Sequence, residues 1–181
     1  MGRSIGTLVG DFINTKYAND LNDTSKSFYQ HSLYNVISSA CLCHDIGKIA
    51  VPDAILKKAS RLDPEEYEEM KLHPVIGSNI IMNVPGAKKF LSGVKYHHEK
   101  WDGTGYPQQL AGDAIPLAGR LMAIADVYDA LISRRVYKAP MPLHEVRELM
   151  AGQRGRHFDP DLLDAFLADF DAFCEIARRY P

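Results

Sequence analysis

At 181 residues the chain has the length of one domain and enough apolar side chains for a real core. Hydrophobic residues make up 46% and charged residues 24%, while a net charge of −2 and a pI near 6.4 exclude a broad cationic surface. Long DNA or RNA is therefore no expected partner, although a small anion needs only local cations.

No apolar run approaches the ~18 residues of a membrane span. The opening Met1-Gly2-Arg3-Ser4-Ile5-Gly6 lacks the apolar core of a secretory signal, and Gly6 stands where a myristoylation pattern wants Ser or Thr. Cys41, Cys43 and Cys174 are odd in number and sit in helical-looking stretches, so they read as reduced structural thiols. A cytoplasmic protein without membrane contact is expected.

Nearly every long segment carries a helical period, and no pair of alternating strands stands out. The pattern predicts a helix over 4–18, a polar break over 19–25, and a long apolar helix over 28–47. Asp63-Pro64-Glu65-Glu66 has the form of a helix start: cap, proline at the first helical position, and Glu three after the cap. Further helices are predicted over 74–82, 86–98, 117–133, 143–150 and 160–179. Between them lies EKWDGTGYPQQLAGDAIP, a Gly- and Pro-rich loop of a length that usually has a function. The fold class is all-α.

His and Asp recur where surface decoration does not explain them. His44 and Asp45 end an apolar helix, His73 is expected to close the next one, His97 and His98 end another, and Asp126 lies inside LMAIADVYDAL. An unpaired ionisable group buried on such segments costs several kcal/mol, at order of magnitude, and a shared metal cluster removes that cost. Each feature alone has a plain structural reading, such as a hydrogen-bonded core pair; their recurrence at four helices favours a cluster. Four imidazoles and two carboxylates without a thiolate suit Fe, Mn, Ni or Zn, and six donors exceed what one catalytic zinc takes. Two ions are therefore expected, with Asp45 as the bridge. Such a pair would clamp a phosphate, acidify a water and stabilise a departing oxygen. Lys48 follows His44 by one helical turn and would meet the same phosphate if the helix persisted.

HDIGKIAVPDAIL (44–56) and HHEKWDGTGYP (97–107) resemble the HD-GYP subgroup of the HD superfamily. The likeness continues through IPLAGRLMAIADVYDALISRRVYK (115–138) and GRHFDPDLLDAF (155–166), so it spans about 44–170. The resemblance implies an HD-type helical bundle whose long loop serves the active site. It implies metal ligands at His44, Asp45, His73, His97, His98 and Asp126, with Asp45 and Lys48 catalytic. Lys48, Gly105, Tyr106, Arg135 and Lys138 match substrate-binding positions. The implied reaction is metal-dependent hydrolysis of cyclic di-GMP to the linear dinucleotide or GMP, with two ions, Fe or Mn. Gly103 and Gly105 would let the loop backbone approach a ligand, and Tyr106 offers a flat face for a purine. Trp101 is assigned to packing.

The head departs from this pattern. Residues 1–46 resemble instead the deoxyguanosine triphosphate triphosphohydrolase branch of the HD superfamily. HD-GYP members take a further metal histidine from a helix well upstream of the HD pair, where Thr7 to Asn14 hold none. His31, 13 residues ahead of His44, would lie about 20 Å away on a continuous helix. Weaker binding of one ion is the expected consequence. The whole chain is read as one domain, with atypical N-terminal helices over 1–43, the HD-GYP-like part over 44–170 and a helix end over 171–181. No sensor or receiver domain is expected ahead of it. Two other functions compete: a weak or inactive module binding cyclic di-GMP or a signalling-protein partner, and a nucleoside triphosphate triphosphohydrolase. The second lacks the Phe-Gly-His element expected after its HD pair. Self-association stays open.

Overall fold

A computed structural model describes residues 35–37, 39–133 and 140–179. Helices dominate these residues, which contain no strand and only two isolated bridges, Asp102 with Ala111 and Arg154 with Phe158. None of the described helices is long and apolar enough to cross a membrane.

The first described helix, α1, is helical at 35–37 and 39–43. It stops earlier than the apolar period predicts. Its last N–H, that of His44, donates to the Ala40 carbonyl at 2.8 Å, and the chain then tightens into a 3-10 turn, Ile46–Ala50. A short helix α2, Asp53–Leu56, leads to α3, Pro64–Met70. Here the sequence reading holds in detail: Asp63 accepts from the Glu66 N–H and Glu66 accepts from the Asp63 N–H, both at 2.9 Å, with Pro64 at the first position.

His73 opens α4, His73–Ile81, and does not close the helix before it. The following proline explains the reversal, because a missing N–H and a fixed φ suit the first turn of a helix and not its end. The predicted helix over 86–98 divides into a 3-10 turn, Ala87–Lys89, and α5, Leu91–Tyr96. Gly86 in front of it has φ 84°, a conformation that no helix continues through.

α6, Leu117–Ile132, is the central helix, buried at Ala118, Leu121, Met122, Ile124 and Tyr128. α7, Leu143–Ala151, and α8, Pro160–Ala168, pack on it. The predicted helix over 160–179 breaks at Asp169, and α9, Phe170–Arg179, starts afresh. The break lets Phe166, Phe170 and Phe173 all reach Tyr128, at ring centroid distances of 5.3, 6.0 and 5.9 Å. Each aromatic side chain buried there stabilises the fold by about 1.5–3 kcal/mol.

α4 packs on the Ile46–Ala50 turn, α5 on α4, and α6 on α5. That chain of contacts places the ends of α1 and α5, the start of α4 and the middle of α6 around one point.

Candidate metal centre

The close approach of the HD turn to α4 depends on Gly47. A Cβ there would stand 1.9 Å from the His73 carbonyl oxygen and 2.5 Å from the Gly77 nitrogen. Without a side chain the turn lies directly on the first turn of α4, and the Asp45 carboxylate reaches His73. Its Oδ1 lies 3.3 Å from His73 Nε2, while Oδ2 lies 3.5 Å from His44 Nε2. Asp126 comes from α6, its Oδ1 3.6 Å from His44 Nε2. One donor atom from each of His73, His97 and His98 lies within 4.8 Å of the others. All six residues expected as ligands are thus brought to one place, with Asp45 facing two groups: His44 with Asp126, and the three remaining histidines.

Hydrogen bonds fix how the rings point. His44, His73 and His97 each donate Nδ1–H to the carbonyl three residues earlier, in Cys41, Met70 and Val94, at 2.8, 2.7 and 2.7 Å. Their Nε2 atoms are left as acceptors turned inward. His73 and His97 are each only 1% exposed, and their Nε2 atoms are 3.4 Å apart. Two neutral imidazoles cannot bond each other this way, since both N–H groups are committed elsewhere. A cation between the lone pairs resolves the conflict, so the residues present fit a metal centre. Cys41, Cys43 and Cys174 form no disulfide, and burial pushes the Cys41 thiol up to about 11, consistent with a donor set of imidazole and carboxylate.

The electrostatics agree. Burial, helped by the neighbouring imidazoles, pushes His97 down to about 4, and the same causes lower His98. These rings stay neutral, as ligands must. Burial opposes charge on Asp45, yet the His73 and Lys48 bonds outweigh it and hold the carboxyl well below the usual range. Asp126 is likewise lowered against its burial, chiefly by the His44 bond. His44 is raised despite burial, by that bond and by the charge of Asp45. Because α1 ends at 43, Lys48 reaches the centre through the 3-10 turn and not along a helix face, and its Nζ lies 2.5 Å from Asp45 Oδ2.

The Gly/Pro-rich loop is held on the far side of the rings. Tyr106 stacks on His98 at 4.7 Å and 28°. Gly105, expected to admit a ligand, is buried against its own chain: a Cβ would lie 2.3 Å from the Lys100 nitrogen and 2.5 Å from Glu99 Cα. Gly103 has φ 80°, so it serves the turn. Glu99 was not singled out by sequence reasoning. It is 2% exposed and accepts from the N–H groups of Gln108 and Leu110 at 2.7 and 3.1 Å, tying the segment that follows the GYP turn to the His97-His98 pair. The signal was available, because an acidic residue directly after two apolar-set histidines is itself a buried charge in need of donors. The Trp101 ring packs under the Arg120 guanidinium at 5.8 Å, and the Trp101 backbone N–H donates to the His157 carbonyl at 3.1 Å. Arg135, Lys138, His31 and nearly all of the atypical head lie outside the described residues.

A family model described as the HD domain matches residues 16–162. Among relatives, a Vibrio cholerae protein named a probable cyclic di-GMP phosphodiesterase is 47% identical over 150 residues, 76% of this chain and 33% of its own length. A second Vibrio cholerae protein, named a 3'3'-cGAMP-specific phosphodiesterase, is 42% identical over 151 residues, 81% of this chain and 28% of its own. The chain therefore spans about a third of the curated relatives it matches. In fold it is similar to Bd1817, an HDG"Y"P protein from Bdellovibrio bacteriovorus, with TM-score 0.60 and 19% identity over 94% of this chain and 51% of that one. With HDIGK at 44–48 and GYP at 105–107 inside a match that covers most of its length, the chain belongs to the HD domain family.

Proposed function

We propose that the chain is a metal-dependent phosphodiesterase that opens cyclic di-GMP to the linear dinucleotide. The observation that carries this reading is the inward turn of Nε2 atoms from three backbone-anchored histidines beside His98, those of His44 and His73 against Asp45 and Asp126 and that of His97 against His73. The relatives' names supply the substrate.

His44, Asp45, His73, His97, His98 and Asp126 would hold two divalent ions, Fe or Mn, with Asp45 shared because its two oxygens face different imidazoles. Such ions supply Lewis acidity toward a phosphate and a hydrolytic water of lowered pKa. The His44–Asp126 side has fewer donors among the described residues, so the ion there is the weaker bound. Lys48, held by Asp45, offers its ammonium to the phosphate. The Tyr106 hydroxyl bonds to none of the described residues and is the group that side chain offers a substrate. Arg135 and Lys138 complete the proposed substrate side, and Gly105 serves it through the turn that presents Tyr106.

The test is product analysis. Protein purified without oxygen and loaded with Fe or Mn is incubated with cyclic di-GMP and, separately, with 3'3'-cGAMP, and products are resolved over time. Linear dinucleotide from cyclic di-GMP supports the proposal. Faster turnover of 3'3'-cGAMP reassigns the substrate, and no turnover of either by metal-loaded protein leaves a binding module.

A further inference from the structure

Of the four imidazoles at the centre, three are oriented by the same device, Nδ1–H donated to a carbonyl three residues back. His98 has no hydrogen bond of its ring to any described residue. Ring contacts orient it instead: Tyr106 is stacked on it at 4.7 Å and 28°, His97 lies at 4.1 Å and 42°, and His73 stands edge-on at 5.0 Å. Tyr106 is fastened to the same residue a second time, its backbone N–H donating to the His98 carbonyl at 3.2 Å. The turn that presents it cannot drift, because Gly105 lies on the Glu99–Lys100 backbone and buried Glu99 holds Gln108 and Leu110.

We infer that Tyr106 is a positioning residue for the ligand His98, its ring doing for the fourth imidazole what a carbonyl does for the other three. Oriented ligands bind metal more tightly because less freedom is lost on binding, and removing such a partner costs about 10–100-fold in metal affinity. The alternative use of the ring, as a stacking platform for a purine, meets a ring already engaged. His98 covers it, Tyr67 meets it edge-on at 6.5 Å, and the Lys71 ammonium lies over it, 5.9 Å from the centroid. The role rests on the metal centre proposed above.

The test is calorimetric titration of the metal-free protein with Mn²⁺, for the parent, Tyr106→Phe and Tyr106→Leu, with melting temperatures of each. Tyr106→Phe keeps the ring and should bind Mn²⁺ as the parent does, whereas Tyr106→Leu should bind about tenfold more weakly. A His98→Ala background separates positioning from general damage: there, Tyr106→Leu should cause no further loss. If the leucine variant does not fold, Tyr106→Met fills similar space and is read in the same way. Parent-like Mn²⁺ affinity in the leucine variant, or the same loss with and without His98, overturns the inference alone. A parent that binds no Mn²⁺ overturns the metal centre and the inference together.

Discussion

The described chain is built in two styles. From Leu117 to Arg179 it is held by apolar burial: Tyr128 on α6 meets three phenylalanines from α8 and α9, and Val146, Met150 and Leu163 are fully buried between the helices. From His44 to Ile115 the elements are short, and what holds them is polar and local. Imidazoles are tied to carbonyls, Glu99 to loop N–H groups, and Gly47 lies on the backbone of α4. Apolar packing tolerates small shifts of side chains, whereas a ligand set does not. The half that carries five of the six expected ligands accordingly uses directional bonds and glycine contacts, and the other half supplies the stability together with Asp126.

The sharpest way to break that contrast is Asp45→Ala. It removes the carboxylate that faces both donor groups, so hydrolysis should fall by ~10³-fold or more while the C-terminal core leaves the fold standing. Product analysis beside circular dichroism reads both; hydrolysis at the parent rate would rule Asp45 out as a ligand. Phe166→Ala is the opposite cut. It should cost about 3–5 kcal/mol by denaturant unfolding and leave Mn²⁺ affinity of the folded protein unchanged. Gly47→Ala strikes the joint between the styles, where overpacking should cost about 1–3 kcal/mol and weaken Mn²⁺ binding as well, by separating Asp45 from His73. If Gly47→Ala altered stability alone, the contact would not position the ligands.

Acid tests the buried imidazoles directly. In the metal-free protein burial pushes both His97 and His157 down to about 4, from an ordinary value of 6.5. An imidazole neutral in the fold but protonated when unfolded makes stability fall as pH falls. Its contribution is complete above about 6.5 and lost progressively toward about 4. Unfolding free energies measured across that window should decline with falling pH, and a flat profile would mean that these rings are solvated.

The two styles were unequally legible in the sequence. α6 and α7 follow from apolar period, and the start of α3 from Asp63, Pro64 and Glu66, because those signals are local. The six expected ligands were legible as residues but not as a geometry, since their meeting depends on Gly47 lying against α4, a contact between positions 26 and 30 residues apart (73 and 77 against 47). The helix breaks at 44 and at Asp169 escaped the period, because the apolar pattern runs on through both while tertiary contacts decide the stop. Glu99 and Gly105 were visible only as parts of a motif. Their work, holding a loop to its own chain, has no periodic signature.

The most direct test of the central claim is anomalous diffraction from crystals grown with Mn²⁺. The account predicts anomalous peaks bonded by His73, His97, His98 and Asp45, and a weaker one beside His44 and Asp126. No peak among these six side chains, or Mn²⁺ bound only elsewhere on the protein, would contradict it.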